Sequence, residues 1–80
     1  MATVTLYGKP GCHLCERALA DLLALKAKRD FEIVEVNILD HPDLFALYAE
    51  EIPVVAVAGE LVSRYKVYPD RLEKRLEEVR

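Results

Sequence analysis

The 80-residue chain carries 14 acidic and 11 basic side chains, for a formal net charge of −3, and 52 % of its residues are hydrophobic. This is enough for a single domain over residues 1–80 with one core, and too little for a second domain. The two signs of charge are interspersed, so nucleic acid is not an expected partner. No apolar run reaches membrane-spanning length, and the chain runs straight into strand-like residues without a leader pattern. The expectation is therefore a cytoplasmic protein with no membrane partner.

In chain order, Thr3-Val4-Thr5-Leu6-Tyr7 has the β-branched and aromatic content of a first strand, and Gly8 to Gly11 supplies turn residues. From Leu14 to about Arg29, Leu14, Ala18, Leu22 and Leu25 recur at helical spacing. Arg17 and Asp21 are four apart and placed to pair, while Lys26, Lys28 and Arg29 give a cationic, solvated last turn that suits the helix dipole. Phe31 to Ile38 reads as a second strand, parallel to the first because a helix connects them. Asp40 is placed to cap a second helix that Pro42 opens and that runs to about Ala49; His41 reads as a helix-start residue. Pro53 to Val57 is apolar throughout, as in a strand covered on both faces. Ala58-Gly59 marks a tight turn into an antiparallel edge strand, Glu60 to Arg64. Pro69 opens the last helix, with Leu72, Leu76 and Val79 on one face and Asp70 four residues before Lys74.

The chain's two cysteines, Cys12 and Cys15, fall together where the first strand gives way to the first helix. At a helix N-terminus, unpaired backbone N–H groups and the dipole favour a thiolate, and partial exposure leaves that thiolate free to attack. Cys15 falls one turn further in. The spacing points to dithiol exchange: Cys12 attacks a disulfide, and Cys15 resolves the mixed disulfide. The alternatives are inert core cysteines and a metal or iron–sulfur cluster module using the same thiols. A closed tetrahedral zinc site within one chain is disfavoured, because His13 and His41 are the only further soft ligands, so no metal ligand is assigned.

The stretch Tyr7-Gly8-Lys9-Pro10-Gly11-Cys12-His13-Leu14-Cys15 is similar to the Y-x-K-P-x-C-x-x-C entry of glutaredoxins, and Ile52-Pro53-Val54-Val55 is similar to their V-P-x-x segment. With the element order, the whole chain resembles a single glutaredoxin-like domain. The resemblance implies an α/β, thioredoxin-like (glutaredoxin-type) β-α-β-α-β-β-α fold, a four-stranded mixed sheet with helices on both faces. It implies Cys12 as nucleophile, Cys15 as resolving thiol, and Pro53 as a cis-proline beside them. The backbone of Ile52 would pair with an extended substrate, and Lys9 would stand near the thiolate and a substrate carboxylate. His13 either supports the thiolate or faces solvent, and Tyr7 packs within the strand.

Two departures bear on the substrate. Glutaredoxins carry Thr before the Val-Pro segment and Gly-Gly-x-Asp after the fourth strand, and both help to hold glutathione. Here Glu51 takes the place of that Thr, and Arg64-Tyr65-Lys66-Val67-Tyr68-Pro69-Asp70 has no glycine. Glu50 and Glu51 would repel the two carboxylates of glutathione, and Val67 or Tyr68 would block close backbone approach. Tyr68 and Asp70 are the candidate substrate contacts there, Asp70 in place of the family's aspartate. The segment is also similar to redoxins that draw electrons from thioredoxin reductase. The expected partners are a disulfide-containing protein substrate and either thioredoxin reductase or glutathione as electron donor. No cofactor is expected, and the chain is expected to act as a monomer.

Overall fold

The computed structural model describes residues 2–79; Met1 and Arg80 lie outside them. The elements are β1 (Ala2–Gly8), α1 (His13–Lys26), β2 (Phe31–Asn37), α2 (Pro42–Tyr48), β3 (Val54–Val57), β4 (Glu60–Arg64) and α3 (Pro69–Glu78), with a 3-10 turn at Ile38–Asp40. This is the element order expected from the sequence. The sheet order is β2-β1-β3-β4. β1 and β2 are parallel, β1 and β3 antiparallel, and β3 and β4 antiparallel with a register irregularity at Val55/Ala56.

Strand register divides the side chains between two layers. Val4 lies opposite Val57 and Leu6 opposite Val55. These four share the main core with Ala18 and Leu22 of α1 and Leu72 and Leu76 of α3. Tyr7, opposite Val54, points to the other face, where its ring meets that of Tyr48 from α2 at 5.2 Å. All four residues of β3 are buried, as their apolar run requires of a strand with a neighbour on each side and helices above and below.

Several local expectations are corrected. Leu14 is exposed, and the buried stripe of α1 is Cys15, Ala18 and Leu22. Asp40 does not cap α2: it ends the 3-10 turn, whose cap is Asn37, with a side-chain oxygen that accepts from Leu39 N at 2.9 Å. The N-cap residue of α2 is His41, which makes no side-chain capping bond. Neither Arg17 with Asp21 nor Asp70 with Lys74 forms an ion pair among the described residues. Helix α1 stops at Lys26, whose Nζ donates to Phe31 O at 2.8 Å and so ties the helix end to the start of β2. Arg29 is not a free solvated cation: Nε reaches Glu73 Oε1 at 2.9 Å and an Nη reaches Glu77 Oε1 at 3.4 Å, joining the α1–β2 turn to α3.

The β3–β4 turn has positive φ at both central residues, Ala58 at 52° and Gly59 at 82°. Such a turn matches the twist of the flanking strands. It is natural for glycine, whereas an alanine in the left-handed region costs roughly 1–2 kcal/mol.

Candidate active site

Cys12 is the N-cap of α1, with extended backbone angles (φ −91°, ψ 109°). Its Sγ accepts the backbone N–H of Cys15 at 3.2 Å, and its carbonyl accepts from Glu16 N at 3.0 Å. One of the first-turn donors that a helix leaves unpaired, the N–H of Cys15, is thus aimed at the sulfur. Gly11 precedes it at φ +78°, a conformation that glycine adopts without strain, and this turns the chain from β1 into the helix. Cys12 is partly exposed, Cys15 is buried, and both are free thiols.

Cys15, Ile38 and Ile52 form a second small core, against which Cys12, Tyr7, Leu44 and Tyr48 pack. Two helices and the loop before β3 thus meet at the thiols. The Ile52–Pro53 peptide is cis, and Pro53 is fully buried. The loop is anchored on both sides of Ile52's neighbour Glu51: Glu51 N donates to Tyr48 O at 2.8 Å, and Tyr65 N donates to Glu51 O at 3.1 Å. The Glu51 carboxylate accepts from Arg64 Nε at 2.7 Å. Its charge therefore has a partner, which weakens the repulsion of glutathione expected from this position.

The sequence-predicted residues divide into two groups. Cys12, Cys15 and Ile52 come together at the small core, and Pro53 follows Ile52 through the cis peptide. Lys9 is exposed, and both its backbone N–H and its charge act on the Cys15 thiol. His13, with a side chain 97 % exposed, points away to Glu16, 3.9 Å from Nδ1. Tyr68 is the N-cap residue of α3 and Asp70 lies in that helix's first turn. The Tyr68 ring is engaged by two cations, Lys66 Nζ at 5.3 Å and Arg71 Cζ at 4.4 Å from its centre.

Sequence reasoning placed Gly8 among the turn residues, but it ends β1, and a Cβ there would stand 2.9 Å from Cys15 Sγ. Its position exactly four before Cys12 carried no signal of this contact. Among the described residues, no three His, Cys, Asp or Glu side chains group so as to hold a metal ion. Nor, among the described residues, is any helix long and apolar enough to cross a membrane.

Burial is the main cause that pushes the Cys15 thiol up from 9.0 to about 11. The hydrogen bond with Cys12 and the charge of Cys12 push the same way, while the Lys9 backbone and cation pull down. A folded-state value above the unfolded one means that the fold favours the protonated thiol. That contribution is complete below about pH 9 and is lost as pH rises through about 11. The urea midpoint of the reduced protein should therefore fall more steeply between pH 9 and 11 than that of Cys15→Ala. Equal slopes would show that burial of this thiol is not linked to stability.

A family model described as Glutaredoxin-like domain (DUF836) matches residues 3–77. The chain belongs to this glutaredoxin-like family. The fold is similar to that of the protein Ne2328 from Nitrosomonas europaea, solved by solution NMR, with 30 % sequence identity, a TM-score of 0.84, and 92 % of this chain and 89 % of that chain covered. It is also similar to the protein XcR50 from X. campestris (28 % identity, TM-score 0.69, 94 % and 96 % covered). Thioredoxin 1 from Thermosipho africanus, at 15 % identity and a TM-score of 0.64 over 96 % of this chain and 97 % of that one, shares the fold. The glutaredoxin-like domain and the thioredoxin-like fold point to redox function as a class.

Proposed function

We propose that the chain is a dithiol–disulfide oxidoreductase in which Cys12 attacks and Cys15 resolves. The observation that carries this reading is the N-cap placement of a partly exposed Cys12 whose Sγ accepts the Cys15 N–H, with Cys15 buried one turn behind it. The Cys12 thiolate attacks one sulfur of a substrate disulfide, forms the mixed disulfide, and expels the other sulfur as a thiolate that takes up a proton. Cys15 then gives up its proton and attacks Cys12 Sγ. The intramolecular disulfide forms, the second substrate thiol leaves, and two electrons have passed to the substrate. An external thiol or reductase returns the chain to the dithiol.

The causes acting on Cys15 suit this order of events. While Cys12 is free, its hydrogen bond and charge help to keep Cys15 protonated. Once Cys12 is bound in a mixed disulfide, its negative charge is gone and its sulfur is a weaker acceptor. Cys15 then becomes more acidic at the step that needs its thiolate.

The partner we propose is a disulfide-containing protein that lays an extended segment beside Ile52 and Pro53, and the chain acts as a cytoplasmic monomer. For the electron donor, the segment Arg64 to Asp70 has no glycine where the glutaredoxin resemblance would put the glutathione-binding pair, and this supports thioredoxin reductase over glutathione. The test is reduction of a protein disulfide with thioredoxin reductase alone and, in parallel, with glutathione and its reductase. Turnover is expected with the first supply and not with Cys12→Ser. Turnover driven by glutathione would overturn the steric argument. Activity that survives in Cys12→Ser, or none with either supply, would overturn the oxidoreductase reading.

A further inference from the structure

A groove runs along the flank of α1 that faces the β4–α3 turn. Its floor is apolar, with Ala18 and Val67 both buried. Two exposed side chains stand at its edges: Leu14 (56 % exposed), in the first turn of α1 between the two cysteines, and Tyr65 (54 %). Tyr65 sits at φ +73°, a conformation unfavourable for a bulky residue, and its N–H bond to the carbonyl of Glu51 holds it there. From Leu14 to Lys28 the groove follows about 20 Å of chain at helical rise, which an extended segment of about six residues would match.

The charge in this groove is opposite to that of the chain as a whole. Lys26, Arg29, Arg64 and Arg75 are each neutralised by a glutamate. Arg17, Lys28 and Lys66, which line the groove, have no carboxylate partner among the described residues, and neither does Arg71, which shares the Tyr68 ring with Lys66. Against these four cations stand Asp21, in the groove, and Asp70, at the start of α3. A locally positive channel on a chain of net charge −3 attracts an acidic ligand to one face and disfavours it elsewhere.

We propose that this groove docks an acidic segment, with an apolar side chain seated between Leu14 and Tyr65, from the protein whose disulfide Cys12 attacks. The proposal rests on the oxidoreductase reading for the identity of the partner. It adds that partner's chemistry: acidic residues flanking the reducible cysteine. The apolar edges suit side chains and the cations suit carboxylates, and the groove starts in the helical turn that holds the thiols.

The experiment uses pre-reduced protein in single turnover with two synthetic disulfide peptides, alike except that glutamates or lysines flank a leucine beside the disulfide. Hydroxyethyl disulfide serves as a neutral control. The acidic peptide is expected to react about tenfold faster at low ionic strength, with the difference shrinking as salt is raised. The Arg17→Glu, Lys66→Glu double variant is expected to lose or reverse that preference while reducing hydroxyethyl disulfide at the wild-type rate. Equal rates for the two peptides, or a preference that persists in the double variant, would overturn the proposal. If no disulfide at all is reduced, the oxidoreductase reading fails. Docking is then decided by NMR titration with the acidic peptide carrying serine for cysteine. Amide shifts confined to α1 and residues 65–71 would support it, and shifts elsewhere or none would overturn it.

Discussion

A Cys15→Ser protein is expected to stop half-way through the reaction: turnover of protein disulfides should fall by at least about 100-fold, and one substrate chain per molecule should remain covalently bound at Cys12. The serine keeps the size of the buried group and its neighbours, Ile38 and Ile52, but its oxygen cannot form the second disulfide. Attack by Cys12 depends on the N-cap position and its hydrogen bond from the backbone of residue 15, which a side-chain substitution leaves in place. Release depends on a thiol held next to Cys12, and the advantage of an intramolecular attacker over a free thiol is large. Mass spectrometry under non-reducing conditions should show the adduct, and added dithiothreitol should remove it. Wild-type turnover by Cys15→Ser would mean that release uses an outside thiol and that the buried cysteine has another role.

Much of this arrangement was legible in the sequence, for reasons that differ from part to part. The strands and helices follow from short-range pattern: β-branched runs, 3.6-residue spacing, and prolines at the starts of α2 and α3. The thiol pair was legible because its two members are three residues apart in one turn. The cis peptide before Pro53 came from family resemblance, since local pattern does not distinguish it from a trans bond. Two of the misses depend on residues far apart in the chain. Arg29 was read as a solvated helix end because its partners, Glu73 and Glu77, lie 44 and 48 residues away. Glu51 was read as a free charge because Arg64 comes from the far side of the β3–β4 hairpin. Leu14 fits the helical period, yet the period alone does not say which stripe of α1 faces the sheet; Cys15, Ala18 and Leu22 do. Asp40 lost the capping role to local geometry, because the three residues after β2 wind into a 3-10 turn before α2 begins.

Gly8→Ala is expected to damage the site more than its place at a strand end suggests. The added methyl would sit 2.9 Å from Cys15 Sγ and 3.1 Å from Cys15 Cβ, distances at which something must move. The obstacle is a buried side chain in the first turn of α1, packed against Ile38 and Ile52, so it has little room to yield. Either α1 lifts from β1 or Cys15 is pushed out of its place behind Cys12. Overpacking of this kind costs about 1–3 kcal/mol, and each kcal/mol lowers the melting temperature of a domain this small by roughly 4–8 °C. A shift of about 1 Å in a reacting group can cost on the order of 100-fold in rate, so closure of the Cys12–Cys15 disulfide should slow by more than the stability loss explains. Gly11→Ala provides the contrast. Among the described residues nothing lies within 4 Å of a Cβ at that position, and its φ of +78° makes the cost one of backbone strain rather than collision with the thiol. Thermal melts with single-turnover measurements of disulfide closure separate the two variants. Gly8→Ala should lose both stability and closure rate, and a Gly8→Ala protein that closes its disulfide at the wild-type rate would show that Cys15 is not held against β1 during the reaction.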